Sequence, residues 1–146
     1  MSNKTPTGTV LYTIEQAIKE YRKISQKNIQ KVVNDITVDQ CLVLIILNEN
    51  SKISQIEMAK LIFKDNASIT RIIELMVKKE YLTREINESD KRKSKLVITE
   101  KGKKTIVQLT PVFKLNRKTA LDGISANEIE LLDSILHKII SNCKIS

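Results

Sequence analysis

The stretch DNASITRIIELMVKKEYLTREINESDKRKSKLVITEKG, residues 65–102, contains two hydrophobic periods in succession. Its first apolar residues recur at the i, i+3, i+4, i+7 spacing of a helix that packs one face on a core: Ile69, Ile72, Ile73 and Met76. Asp65 is suited to cap this helix, which we expect to extend to about residue 79. The period then changes, and residues 82–86 and 95–99 are typical of short strands joined by a polar segment. The stretch therefore predicts a helix followed by a β-hairpin.

Capping boxes mark the starts of further helices. In this motif a Ser or Thr is followed three residues later by Glu or Gln, and each side chain satisfies a backbone N–H near the other. The pairs in this chain are Thr13–Gln16, Thr37–Gln40, Ser54–Glu57 and Ser125–Glu128. With the apolar spacing, they predict helices over about 11–33, 38–48, 55–62 and 128–140. Thr99 is expected to cap one more helix, which extends to about residue 119 with a bend near Pro111.

The order of helix, short helix, helix and basic hairpin is that of a winged helix-turn-helix. The sequence thus predicts a mainly α fold (α with a small β-wing), in which residues 37–104 form a DNA-binding lobe. Residues 9–34 and 105–146 are predicted to form a helical dimerisation region, because their apolar stripes exceed what the lobe needs to cover. The stripe of the last helix is Ile129, Leu132, Ile135, Leu136 and Ile139.

Positive charge is concentrated in the middle of the chain. The formal net charge is +8, and residues 60–104 carry 13 basic and 7 acidic side chains, which places +6 there. A local basic field attracts polyanions, of which nucleic acid is the commonest. Aromatic residues are scarce and Trp is absent, so a stacking platform for single-stranded nucleic acid is poorly supported. Double-stranded DNA is the favoured partner.

The predicted helix after the cap offers one candidate surface for reading bases. Small and cationic side chains lie in its first turn and opposite its apolar face: Asn66, Ala67, Ser68, Thr70, Arg71 and Lys78. A major groove admits one α-helix, and small residues near the N-terminus permit close approach. Glu74 lies on the same side and repels phosphate, unless it accepts from a cytosine amino group or pairs with a lysine. The alternative is that these are ordinary first-turn and solvated residues.

The hairpin carries the second candidate surface. Its cations are Arg84, Lys91, Arg92, Lys93 and Lys95. Cations at the end of a two-stranded projection can reach a minor groove or the flanking phosphates. Asp90 lies among them and is better suited to structure the wing, by holding an arginine such as Arg92 in a carboxylate–guanidinium pair. The alternative is a charge run that is simply solvated.

Other classes of function are disfavoured by the residues present. The chain has one histidine and no glycine-rich phosphate loop or nucleophile elbow, so we expect no enzyme, no metal site and no cofactor. Cys41 and Cys143 make no disulfide framework, which favours a reducing compartment. The longest apolar run has seven residues and the N-terminus lacks a signal-peptide core. We therefore expect a cytoplasmic protein without a membrane partner.

The hairpin resembles the wing of the MarR (multiple antibiotic resistance regulator) family, in which D-x-R precedes L-x-L-T-x-x-G. The segment ESDKRKSKLVITEKG matches this signature at Asp90, Arg92, Leu96, Thr99 and Gly102, with Ile98 at the second Leu. Upstream, ISQIEMAKLIFKDNASITRIIELMVKKEYL is similar to the family's helix-turn-helix, with Ala59 and residues 68–71 in register. The similarity is best over about residues 37–104. The chain departs from the family at Phe63 and Glu80, where glycine is common, and at the residue before Asp90, where proline is usual.

The resemblance implies a homodimer that binds pseudo-palindromic duplex DNA and regulates transcription, usually as a repressor that a small molecule or an oxidant releases. It also implies an effector pocket between the dimerisation helices and the DNA-binding lobe, with Tyr12, Tyr21 and Cys41 as candidate lining residues. Cys41 is alternatively a core residue, because it opens an almost wholly apolar helix. The alternative function is a winged helix that binds protein or RNA without operator specificity.

Overall fold

A computed structural model describes residues 5–86, 89 and 94–145. A short 3-10 helix, Pro6–Gly8, precedes the α-helices and the two-stranded sheet of this part of the chain. The elements are α1 (Val10–Gln30), α2 (Val38–Glu49), α3 (Gln55–Leu61), α4 (Asn66–Lys78), β1 (Leu82–Ile86), β2 (Ser94–Ile98), α5 (Glu100–Ala120) and α6 (Ala126–Cys143). The predicted fold class, mainly α with a small β-wing, is confirmed.

The chain divides into two compact units, one that ends at Asn116 and one that begins at Arg117. The first unit contains α1 to β2 and most of α5, and the second contains the end of α5 and all of α6. The predicted lobe over 37–104 lies within the first unit. Its separation from a dimerisation region stays a prediction.

Two of the predicted capping boxes are complete. The Thr37 hydroxyl accepts from the Gln40 N–H (3.2 Å), and the Gln40 side chain accepts from the Thr37 N–H (3.1 Å). Ser125 and Glu128 form the same reciprocal pair, at 3.2 and 3.0 Å. An N-cap of this kind contributes about 1 kcal/mol. These caps therefore define where α2 and α6 begin.

The other two predicted boxes differ from the motif. At α3 the Ser54 hydroxyl accepts from the Glu57 N–H (3.1 Å) but donates to the Glu57 carboxylate (3.0 Å), so only half of the box forms. The capping box predicted at Thr13 is wrong, because α1 begins at Val10, one residue before its predicted start, and the Thr13 hydroxyl donates back to the Thr9 carbonyl (3.4 Å). The preceding 3-10 turn leads into the helix, so Thr13 lies within the first turn of α1 and not at its cap.

The core of the first unit is built around α4. Ile69, Ile73 and Met76 have no exposed surface (0%), and Ile72 is half-buried, as their spacing predicts. They share one apolar core with residues from α2, α3 and β1: Val43, Leu44, Leu47, Met58 and Leu82. Burial of a side chain of this size stabilises the fold by about 1.5–3 kcal/mol. Three such residues on one face fix how α4 is rotated about its axis, so its other face is directed to solvent.

The wing is an antiparallel pair in which Leu82 lies opposite Ile98 and Ile86 lies opposite Ser94. Leu82 and Ile98 are buried at its base, while Ile86 and Ser94 are exposed at its outer end. The described part of the hairpin is therefore anchored at one end and projects into solvent at the other. Its predicted tip residues fall at positions 87–93, of which the structure describes only Ser89.

Thr99 lies between β2 and α5 and caps the helix, as predicted. Its hydroxyl accepts from the Gly102 N–H (3.1 Å) and donates to the Glu80 carbonyl (2.6 Å). The predicted strand over 95–99 is shifted by one residue, because β2 is Ser94–Ile98. Thr99 thus joins the start of α5 to the turn between α4 and β1.

Two residues after the last residue of α3, and again after α4, the backbone is left-handed, although neither residue is glycine. Phe63 has φ 59° and Glu80 has φ 68°. After α3, the Phe63 N–H donates to the Lys60 carbonyl and the Lys64 N–H to the Ala59 carbonyl, the hydrogen bonds of a Schellman motif. The same pattern follows α4, where the Tyr81 N–H donates to a carbonyl of the last turn (2.9 Å). A side chain in this region costs roughly 1–2 kcal/mol relative to right-handed backbone.

Helix α5 continues through Pro111 to Ala120, close to its predicted end. Proline has no N–H and removes one hydrogen bond from the helix. The hydroxyl of the preceding Thr110 donates to the Ile106 carbonyl (2.7 Å), a contact that often bends helices. The bend near Pro111 stays a prediction.

Candidate nucleic-acid interface

The N-terminus of α4 is capped and otherwise open to solvent. The Asp65 carboxylate accepts from the Ser68 N–H (2.7 Å), and this hydrogen bond holds the pKa of Asp65 below its usual value. Asn66 and Ala67 follow the cap and are both exposed. The first turn of α4 therefore presents an amide and a methyl group to the outside, at a helix end where backbone N–H groups favour anions.

Arg71 lies one turn further along the exposed side of α4. Its guanidinium donates to the Ser68 hydroxyl at 3.5 Å, the outer limit of a hydrogen bond, and it forms no ion pair with any residue that the structure describes. A weakly held guanidinium on a fixed helix is suited to phosphate or guanine, which it can bind through two N–H groups. The structure thus brings four predicted contacts together: Asn66, Ala67, Ser68 and Arg71.

Thr70 is placed differently from its neighbours. Its hydroxyl donates to the Asn66 carbonyl (2.8 Å) and accepts from the Gln55 side-chain amide (2.7 Å), and the residue is half-buried. Thr70 therefore ties α3 to α4, a role that the sequence did not indicate. Its predicted contact with DNA stays a prediction.

Lys78 is exposed but lies at the other end of α4, about 18 Å along the axis from Asn66 at 1.5 Å per residue. The structure does not bring it together with the first-turn residues. Glu74, between them, is also exposed, and it forms no ion pair with Lys78 in the described part of the chain. Of the two alternatives for Glu74, the ion pair with a lysine is therefore not formed with Lys78 here, and acceptance from a cytosine amino group stays a prediction.

The described part of the wing carries two of the predicted cations. The Arg84 guanidinium donates across the sheet to the Ser94 hydroxyl (3.3 Å), and both residues are exposed. Lys95 is exposed and lies opposite Glu85 in the register of the sheet. The other wing predictions, Asp90, Lys91, Arg92 and Lys93, lie outside the described residues.

A polar cluster that sequence reasoning missed holds the far end of α4. The Tyr81 hydroxyl donates to the Asp35 carboxylate (2.5 Å), and Lys79 donates to the Asp35 carbonyl (2.5 Å). Lys101 donates to the Lys79 carbonyl (2.7 Å) and stacks over the Tyr81 ring, with its nitrogen 4.4 Å from the ring centroid. The cluster joins the loop before α2 to the end of α4 and the start of α5.

Charge and burial act in opposite directions within this cluster. The hydrogen bond from Tyr81, followed by the charges of Lys101 and Lys79, lowers the pKa of Asp35. Burial, followed by the hydrogen bond to Asp35, raises the pKa of Tyr81. The tyrosine is therefore a neutral donor and the aspartate an ionised acceptor at neutral pH.

Tyr81→Phe should lower the free energy of unfolding by about 1 kcal/mol at pH 7, after allowance for solvent around the exposed carboxylate. Because the folded state depresses the pKa of Asp35, this contribution is present above the unfolded pKa of about 4 and is lost as the pH falls through the lower folded value. Urea unfolding of both proteins at pH 7, 5 and 3.5 checks the difference. A difference that stays constant over this range would contradict a role for the ionised carboxylate.

The three residues predicted to line an effector pocket differ in their exposure to solvent, and their role in a pocket stays a prediction. Tyr12 is exposed, Tyr21 is half-buried on α1, and Cys41 is buried with 2% of its surface exposed. Burial raises the pKa of the Cys41 thiol to about 12, so it is protonated at neutral pH and unsuited to oxidation. The core alternative for Cys41 is confirmed. Cys143 is exposed.

A cavity of about 700 Å³ lies instead beside the Asp35–Tyr81 hydrogen bond. It is lined by Gln30, Lys31, Val32, Val33, Asn34, Asp35, Tyr81, Lys101, Lys104, Thr105 and Gln108. Its volume is in the range of small-molecule sites. Three lysines and several amide or hydroxyl groups make its wall polar and cationic.

Metal-binding clusters and membrane-spanning helices were sought in residues 5–86, 89 and 94–145. In these segments no three or more His, Cys, Asp and Glu side chains are grouped as a metal site would require. None of the helices in the same segments has the length and apolar character to cross a membrane.

The amino-acid sequence is similar to those of known proteins. The model of the MarR family matches residues 36–94. The HTH-type transcriptional regulator YybA of Bacillus subtilis (strain 168) is 30% identical over 118 residues, which are 81% of this chain and 79% of YybA.

Solved structures share the fold over nearly the whole chain. BpsR of Bordetella bronchiseptica has a TM-score of 0.82 at 20% identity, covering 94% of this chain and 97% of BpsR. MepR of S. aureus, solved as a complex with DNA, has a TM-score of 0.82 at 20% identity, covering 92% of this chain and 98% of MepR. The transcriptional regulator SlyA has a TM-score of 0.80 at 26% identity, covering 91% of this chain and 92% of SlyA.

Proposed function

Because the chain belongs to the MarR family of transcriptional regulators, we propose that it binds duplex DNA sequence-specifically as a homodimer and represses transcription. The observation that carries this proposal is the construction of α4. One face is wholly buried through Ile69, Ile73 and Met76, and the opposite face presents the exposed first turn and Arg71. A helix held in this way can enter a major groove without rearrangement.

The wing is the proposed second contact. Arg84 and Lys95 extend from a hairpin whose base is buried, so they are held away from the core on a short two-stranded support. With Lys91, Arg92 and Lys93 they are proposed to bind phosphates or the adjacent minor groove, and Asp90 to orient Arg92. These contacts position the protein, while the first turn of α4 reads bases.

Exposed apolar residues support the homodimer. The large apolar residues that are exposed on α1 are Val10, Leu11, Tyr12 and Ile18. Those exposed on α6 are Leu131, Leu132, Ile135 and Ile140. Helical stripes of this kind usually meet a second chain. Two-fold symmetry would then place two α4 helices about 34–36 Å apart, one turn of duplex, and would match a pseudo-palindromic operator.

Release by a small molecule is part of the proposal. DNA binding by the structural neighbour BpsR is regulated by 6-hydroxynicotinic acid. The cavity beside Asp35 and Tyr81 has a suitable size for such a ligand, and Lys31, Lys101 and Lys104 favour an anionic one. A ligand there would act on the hydrogen bonds that hold the far end of α4.

Arg71→Ala should weaken binding to a duplex selected by the wild-type protein by about 10–100-fold, because a guanidinium contact to a base contributes about 1–3 kcal/mol. The melting temperature should not change, since Arg71 is exposed and outside the core. Fluorescence anisotropy and thermal unfolding measure the two effects. Lys23→Ala is the matched control, because it removes one exposed cation from α1. Unchanged affinity in Arg71→Ala would remove α4 from the proposed interface.

A further inference from the structure

Phe63 combines two unfavourable features in the free protein. Its backbone is left-handed (φ 59°), a conformation that favours glycine, and its side chain is 92% exposed. A glycine at this position would remove both the strain and the exposed ring. Residues held in a sparsely populated backbone conformation are concentrated at active and ligand-binding sites.

The residues on either side of Phe63 hold its backbone in place. Ile62 is buried, with 4% of its surface exposed. The Lys64 N–H donates to the Ala59 carbonyl (2.9 Å), and the Lys64 ammonium pairs with the Asp39 carboxylate (3.3 Å). The ring is therefore presented by a turn that is anchored to α2 and α3.

The turn lies at the end of α4 that the proposed function directs into DNA. Phe63 comes three residues before Asn66, so their Cα atoms are at most about 10 Å apart. Lys60 lies three residues before Phe63 and is exposed. A cation near an exposed ring suits a polyanion such as DNA, whose sugars and thymine methyl groups are apolar.

We propose that the Phe63 ring packs on the apolar surface of duplex DNA, formed by deoxyribose and thymine methyl groups, next to the bases that α4 reads. The proposal rests on the proposed function and adds a contact that carries no charge. Phenylalanine is among the side chains that contact the thymine methyl group in a major groove. Lys60 is placed to bind the neighbouring phosphate.

The test compares Phe63→Gly and Phe63→Leu with the wild-type protein, on a duplex that the wild-type protein selects from a random-sequence library. Phe63→Gly should bind about tenfold more weakly at every salt concentration and should melt at a higher temperature, because the backbone strain is relieved. Its log–log slope of affinity against salt should equal that of the wild type, since an apolar contact releases no counterions. Phe63→Leu keeps an apolar side chain, so its affinity for the duplex should stay within about threefold of that of the wild type.

Glu80→Gly is the matched control, because Glu80 has the same left-handed backbone at the opposite end of α4. It should also melt at a higher temperature and should lose no affinity for the duplex. The proposal is overturned if Phe63→Gly binds within twofold of the wild type, or if its affinity falls together with its salt slope. Failure of the proposed function is distinguishable, because the wild-type protein would then select no duplex or Arg71→Ala would bind unchanged.

Discussion

Ile73→Ala is expected to lower the free energy of unfolding by about 3–4 kcal/mol, within the range for removal of a buried isoleucine side chain. Ile73 has no exposed surface and lies at the centre of the buried face of α4. The shortened side chain leaves a cavity between α4 and the rest of the core, which close packing cannot fill without strain. Urea unfolding at a fixed protein concentration measures the loss, because the stability of the proposed dimer would depend on concentration.

Glu74→Ala is the control for this prediction. Glu74 is the next residue of α4 but is exposed, so its replacement should change the free energy of unfolding by less than about 0.5 kcal/mol. A loss below about 1 kcal/mol in Ile73→Ala would show that α4 is not held by its apolar face. The orientation of the side of α4 that we propose to face DNA would then need another explanation.

Gly102→Ala is expected to destabilise the protein by about 2 kcal/mol and to lower its melting temperature by about 4–8 °C. A Cβ atom at Gly102 would lie 2.5 Å from the Tyr81 carbonyl oxygen and 2.7 Å from the Ile98 Cγ2. The Thr99 N–H donates to the same carbonyl (3.1 Å), so this oxygen cannot move without loss of that hydrogen bond. The steric overlap of the added methyl group should cost about 3 kcal/mol, and the higher helix propensity of alanine should recover about 1 kcal/mol of it.

Gly123→Ala separates this clash from the general effect of replacing glycine. Among the described residues, none apart from the two chain neighbours of Gly123 comes within 4 Å of a Cβ at this position, but its φ of 76° is left-handed. This variant should therefore lose only about 1 kcal/mol, through backbone strain alone. If Gly102→Ala proves as stable as the wild type, the junction of α5 with the wing is looser than its close contacts indicate.

The parts of the fold that depend on local pattern were predictable. The spacing of Ile69, Ile73 and Met76 predicted a buried face, and all three are fully buried. Thr37 and Ser125 predicted helix starts because a capping box involves only residues three apart. Thr13 has the same local pattern, but α1 begins upstream of it, since a preceding turn already leads into the helix.

Contacts between residues distant in sequence could not be predicted in this way. Tyr81 and Asp35 are 46 positions apart, and neither belongs to a recognisable motif. The hydrogen bond from Gln55 to Thr70 depends on the angle between α3 and α4, which periodicity does not define. Thr70 was therefore predicted as a DNA contact on the basis of its position in the first turn, without its contact to α3.

The most direct test of DNA binding is a fluorescence-anisotropy titration of the wild-type protein with mixed-sequence duplex DNA at several salt concentrations. We predict salt-dependent binding with a log–log slope of about −0.9 for each phosphate contact and several contacts per dimer. Unlabelled duplex should compete, and single-stranded DNA of the same sequence should not. A flat salt response without duplex binding would contradict the account and would favour a winged helix that binds another protein.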